Sequence, residues 1–117
     1  MPNKKFKIEL KGGAVYEGDY INGKMHGQGK LTEDGSVYEG GFVNDMLHGQ
    51  GIIKFPEGDV YEGGFADNVF HGYGKYSSGG SVFEGFFSSG KRHGKGKITY
   101  ADGIVKEGEW KDGKFIG

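Results

Sequence analysis

The sequence predicts an all-β fold, a single-layer antiparallel meander of repeated β-hairpins extended into an elongated, solenoid-like sheet. Three observations predict it. A motif recurs every 22 or 23 residues along nearly the whole chain, rings and glycines alternate with polar residues inside each copy, and turn-forming residues punctuate every copy. A fixed period of this length marks supersecondary units stacked side by side.

The repeat is read from four His-Gly-x-Gly tetrads, which begin at His26, His48, His71 and His93. Ten residues before each tetrad stands a ring followed by Glu-Gly: Tyr16-Glu17-Gly18, Tyr38-Glu39-Gly40, Tyr61-Glu62-Gly63 and Phe83-Glu84-Gly85. A fifth start, Lys106-Glu107-Gly108-Glu109-Trp110, keeps the frame and loses the first ring. The chain therefore divides, within one array over 1–117, into a half unit 6–15, units 16–37, 38–60, 61–82 and 83–105, and a partial unit 106–117. In the opening half unit Ile8, Leu10 and Gly13 match Ile53, Phe55 and Gly58, and also Ile98, Tyr100 and Gly103. At the other end Ile116-Gly117 takes the His-Gly position.

Each unit reads as two short strands. Residues two apart on a strand share a face, so Tyr61, Gly63 and Phe65 look one way, as do Gly49, Gly51, Ile53 and Phe55. Glu, Gln, Lys and Thr look the other way. Between the strands of a unit lie Asn22-Gly23, Asn44-Asp45, Asp67-Asn68, Ser89-Gly90 and Asp112-Gly113, pairs that tolerate the positive φ of hairpin turns. Between units lie Glu33-Asp34-Gly35, Pro56-Glu57-Gly58, Ser78-Gly79-Gly80 and Ala101-Asp102-Gly103. This second turn is one residue shorter in the two 22-residue units, so the array need not be regular there. No helical period competes.

With 26 Gly and only 34% hydrophobic residues the chain cannot fill a thick two-layer core, yet 15% aromatic residues argue against disorder. A glycine in a strand often marks close approach by another group. The stripe Gly18, Gly27, Gly29 and its copies is expected to give a flat floor for rings, so that Gly72→Val or Gly94→Val displaces rings.

There is no Cys, and no apolar run approaches the roughly 18 residues that span a bilayer. The basic start lacks the apolar stretch of a signal peptide, which reads as a cytoplasmic chain. A net charge of −1 hides segments of +3 (1–30), −7 (31–90) and +3 (91–117). Nucleic-acid binders carry a clear basic excess, so no nucleic acid is expected as partner.

Catalytic and cofactor chemistry find no support. The four histidines occupy one repeat position, about 10 Å apart if successive hairpins lie side by side, too far to share a metal ion. His71-Gly-Tyr-Gly-Lys75 and His93-Gly-Lys-Gly-Lys97 lack the helix and the Gly-Lys-Ser/Thr spacing of a phosphate loop. Glu17, Glu39, Glu62, Glu84 and Glu107 recur with the repeat and read as architectural, and no nucleophile stands beside a base. No enzyme, no cofactor and no metal are expected.

The pattern Tyr-x-Gly-x-aromatic, turn, His-Gly-x-Gly, Asp-Gly resembles the MORN repeat (membrane occupation and recognition nexus), from about Phe6 to the end of the chain. Lys106 in place of the first ring, Asp45 and Asn68 in place of the turn Gly, and Ser78-Gly79-Gly80 are its departures. The resemblance implies an elongated single-layer sheet with an open groove. It also implies scaffold or adaptor work at cytoskeletal, ciliary or membrane-associated sites, with helical peptides or other copies as partners; phosphoinositide binding has been proposed for the family.

The leading expectation is an adaptor holding a helical peptide of a protein partner along the aromatic, glycine-rich groove. Five units at roughly 10 Å give about 50 Å of surface, enough for on the order of 30 helical residues. The groove residues expected are Phe42, Tyr61, Phe65, Phe83 and Phe87, with Glu39 and Glu62 as charge partners. The alternative is a tether to anionic phospholipid through Lys91, Arg92, Lys95 and Lys97, with Lys4, Lys5 and Lys7 helping. Self-association through the terminal hairpins is compatible with either, since unpaired sheet edges invite strand addition.

Overall fold

Alternating ring and polar residues, cut by residues suited to tight turns, fold into one open sheet. The computed structural model describes residues 5–117. Its eleven strands are hydrogen-bonded in chain order, every neighbouring pair antiparallel. They are β1 (Phe6–Glu9), β2 (Val15–Ile21), β3 (Lys24–Glu33), β4 (Ser36–Val43), β5 (Met46–Lys54), β6 (Val60–Ala66), β7 (Val69–Ser78), β8 (Ser81–Ser88), β9 (Lys91–Thr99), β10 (Val105–Lys111) and β11 (Lys114–Phe115). A single 3₁₀ turn at Lys11–Gly13 links β1 to β2. The sheet is elongated, 47 Å along its longest axis against 27 and 24 Å across.

The turns within units put both central residues at positive φ, for example Asn22 at 52° and Gly23 at 77°. This matches the right-handed strand twist that two-residue hairpins need. Asp45 and Asn68 stand where a glycine is usual and hold the same left-handed backbone. Each also does something glycine cannot: Asp45 Oδ1 accepts the Met25 N–H at 2.8 Å and Asn68 Oδ1 accepts the Leu47 N–H at 2.9 Å, tying each turn to the preceding unit.

The missing residue in units 16–37 and 61–82 is absorbed by a change of turn. Asp34-Gly35 and Gly79-Gly80 make two-residue turns at positive φ. The longer connections close with Phe55 N–H donating to the Asp59 carbonyl and Tyr100 N–H to that of Ile104. Register survives both versions, with Gly29 opposite Gly40 across a short turn and Gly51 opposite Gly63 across a long one. The array is regular where the lengths left that open.

Register also aligns the glycines. Gly18, Gly29, Gly40, Gly51, Gly63, Gly74, Gly85, Gly96 and Gly108 stand directly opposite one another in an unbroken row from β2 to β10. Rings lie on this row. A methyl group at Gly29, Gly51, Gly74 or Gly96 would overlap the ring of Tyr16, Tyr38, Tyr61 or Phe83 respectively.

The expectation for the first glycine of each tetrad is corrected. Gly49 and Gly72 have open space on the side-chain side, Gly94 meets only the Phe86 Cβ at 3.7 Å, and Gly27 faces Asp19. None carries a ring. Their φ values of 88°, 80°, 96° and 99° show what they do instead. Between the pairs Gly63–Gly74 and Phe65–Phe70, only Gly64 intervenes on β6, against His71-Gly72-Tyr73 on β7. The His-Gly-x segment is thus a bulge, and a left-handed glycine sits at its centre.

Rings from the two sides of the glycine row meet edge to face. Tyr38 contacts Phe42 at 5.2 Å and Phe65 of the next unit at 5.0 Å; Tyr61 contacts Phe65 at 5.1 Å and Phe87 at 5.3 Å; Phe83 contacts Phe87 at 5.3 Å and Trp110 at 5.1 Å. Such pairs contribute about 0.5–1.5 kcal/mol each beyond the area they bury. This zigzag is the core, and it joins each unit to the next. Among the described residues no helix is long and apolar enough to cross a membrane.

Candidate functional site

The ring face is built in two tiers. Its floor is Tyr16, Tyr38, Phe42, Tyr61, Phe65, Phe83 and Phe87, all between 0 and 6% exposed. Of the groove residues expected from sequence, Phe42, Tyr61, Phe65, Phe83 and Phe87 thus come together, as floor. The tier above them is half-buried: Tyr20, Leu31, Leu47, Ile53, Phe70, Tyr76 and Tyr100. Phe70 stacks flat on Tyr61 at 3.8 Å, and Tyr76 lies 5.9 Å from Phe70. A visitor to this face meets the upper tier first.

The buried tyrosines satisfy their hydroxyls locally. Tyr38 and Tyr61 donate to the carbonyls of Gly41 and Gly64, three residues on, at 2.8 Å, and Tyr16 does the same to Asp19. Burial pushes all three phenols up to about 12, with the Asp19 charge adding to the effect at Tyr16. Asp19 is itself held below the usual carboxylate range, chiefly by the Gln28 N–H that it accepts at 2.9 Å.

The opposite face is a ladder of alternating charge. Directly across neighbouring strands run Lys7, Glu17, Lys30, Glu39, Ile52, Glu62, Lys75, Glu84, Lys97 and Glu107. Glu39 and Glu62 therefore project away from the rings with which the sequence reading grouped them. Each Glu of the repeat faces a Lys of its own chain on at least one side. Ile52, 37% exposed between Glu39 and Glu62, is the one break. Ile52→Lys is expected to raise stability by about 0.5 kcal/mol at low salt, as cross-strand pairs of opposite charge do. Urea denaturation at low and high salt checks this, and the gain shrinks as salt screens it.

A family model for the MORN repeat matches residues 16–37, 38–60, 61–81, 83–105 and 107–115, most of the chain. The chain belongs to the MORN repeat family. Comparison with curated proteins returns no match. MORN repeats occur in proteins that bind other proteins or associate with membranes, so a general scaffold role accords with this membership.

Within the MORN array the basic residues 91–97 do not form one cluster. The Arg92 guanidinium lies over the rings of Phe83 and Trp110, at 5.1 and 5.2 Å. Lys95 pairs with Glu109 across the strands, and Lys97 stands between Glu84 and Glu107 on the polar face. Lys5 is 3.5 Å from Asp19; Lys4 lies outside the described residues.

Two of the MORN histidines, His26 and His48, contact the following unit. His26 Nδ1 accepts the Asn44 N–H at 3.3 Å, and His48 Nδ1 is 3.8 Å from Asp67. Among the described residues no three His, Asp or Glu side chains converge as metal ligands. One feature of the polar face escaped the sequence reading. Tyr73 and Phe86, directly opposed on β7 and β8, make an exposed edge-to-face pair at 5.6 Å. The signal was available, since Phe86 stands where the two preceding units have Gly41 and Gly64.

Proposed function

We propose that the chain is a non-enzymatic adaptor whose ring face receives a helical peptide segment of a protein partner. The observation that carries this reading is the half-buried upper tier from Tyr20 to Tyr100. These apolar side chains lie on both sides of the glycine row along a sheet 47 Å in length, with no second layer of the described residues upon them. An amphipathic helix laying its apolar stripe along such a face follows a known mode of peptide recognition. Phe42, Tyr61, Phe65, Phe83 and Phe87 form the floor that shapes the groove, while Leu47, Phe70 and Tyr76 supply contact. Glu39 and Glu62, on the other face, act through the charge ladder or on a second contact.

The membrane alternative treated Lys91, Arg92, Lys95 and Lys97 as one patch. Their division between two faces favours the peptide reading.

Affinity capture from an extract of the source cell tests it, wild type against Phe70→Ser. Phe65→Ser is the weaker choice, because Phe65 is 4% exposed and its loss opens the core. A protein retained by wild type and lost by folded Phe70→Ser is the expected result. Leu47→Ser, at the same register position one unit earlier, repeats the test.

A further inference from the structure

One row of the ring face carries the same chemistry in every unit but one. Opposite the second ring of each unit stand Met25, Leu47, Phe70, Arg92 and Phe115. Arg92 is the single charge in that row. It is half-buried and packed on Phe83 and Trp110, and no carboxylate lies within 4 Å of it among the described residues. Beside it opens a hollow of about 250 Å³ lined by Phe70, Tyr76, Phe87 and Lys91. Asp59, an acid close to this hollow, accepts the Tyr76 hydroxyl at 2.9 Å and forms no ion pair with Arg92.

We infer that Arg92 is a carboxylate receptor set into the peptide face, so that the partner's apolar helical stripe carries one Asp or Glu. This rests on the adaptor reading and names the chemistry it selects. Held over the Phe83 and Trp110 rings, the guanidinium offers the paired N–H groups that take a carboxylate bidentately, a geometry that Arg provides and Lys does not. Aromatic walls on either side demand apolar neighbours for that acid. A free anion brings no such neighbours, and a lipid surface docked on this face would leave Lys95 and Lys97 pointing away from it.

The test is selection from a displayed library of amphipathic helices, on the order of 30 residues long, with each stripe position randomised in turn. Wild type is compared with Arg92→Met, which places in this row the residue type present at position 25, and with Arg92→Glu. Circular dichroism and melting first establish that all three fold. Wild type is expected to enrich an acidic residue at one stripe position, with affinity falling at least ~10-fold on changing that acid to its amide. Arg92→Met is expected to select an apolar residue there with the rest of the stripe unchanged, and Arg92→Glu a Lys or Arg.

Acid-free peptides selected by wild type, or the same acid selected by Arg92→Met, overturn the inference and leave the adaptor reading standing. No helix selected by folded wild type removes both. Vesicles of phosphatidylcholine and phosphatidylserine form the last arm. Their Arg92-dependent binding, together with acid-free selected peptides, assigns the guanidinium to a membrane and overturns the inference.

Discussion

Gly74→Ala is expected to lower stability by about 3 kcal/mol or more, while Gly72→Ala, two residues away, costs about 1–2 kcal/mol. The two glycines serve different ends. At Gly74 a methyl group enters the space of the Tyr61 ring, and that ring touches Phe65, Phe70 and Phe87. Displacing it loosens contacts within one unit and between two. At Gly72 there is open space, and the cost is only that of holding an L-residue at a φ of 80°. Thermal unfolding distinguishes them, with a drop of roughly 10–20 °C for Gly74→Ala and a few degrees for Gly72→Ala. Shortening Tyr61 to Ala in the Gly74→Ala background is expected to cost less than the two separate losses added, because one change removes what the other strikes. Equal losses at the two glycines contradict the ring-on-glycine core.

The second large effect is alkaline unfolding. Tyr16, Tyr38 and Tyr61 are pushed up to about 12 by burial, against an ordinary value of 10.0. The folded sheet therefore holds these protons more tightly than the unfolded chain does. That contribution is fully present below pH ~10 and is lost as pH rises from there through ~12. Three such phenols acting together make stability fall across this window. Melting curves from pH 8 to 12 check this. Phe83 holds the same place in its unit without a hydroxyl, so Tyr61→Phe preserves the packing and flattens part of the alkaline loss.

Much of this architecture was legible in the residues because the chain states it repeatedly. Ring, Glu, Gly at one spacing and His-Gly-x-Gly at another fix strands, turns and the face of each ring. The 22- and 23-residue periods left regularity open, and turn chemistry decided it: Asp34-Gly35 closes with two residues what Pro56-Glu57-Gly58 closes with a longer loop. The two tetrad glycines look alike in sequence. Only the unequal spacing across β6 and β7 separates the bulge at Gly72 from the ring floor at Gly74.

The candidate site was less legible. Grouping Glu39 and Glu62 with the rings departed from the two-residue period, since each directly follows a buried tyrosine and so points behind it. The charge ladder needed cross-strand register, which joins Glu17 to Lys30 and Lys30 to Glu39 only once the turns are known. Arg92 and Lys97, five residues apart on β9, fall on opposite faces by the same two-residue period.

Binding of partners to the ring face is tested by the affinity of a captured partner for three folded proteins. These are wild type, Phe70→Ser on the ring face and Tyr73→Ser on the polar face. Phe70→Ser is expected to weaken binding at least ~10-fold, as loss of an interface anchor does, and Tyr73→Ser to leave it unchanged. The reverse pattern, with Tyr73→Ser weakened and Phe70→Ser unaffected, would place the partner on the polar face beside the Tyr73–Phe86 pair and rule out the ring face.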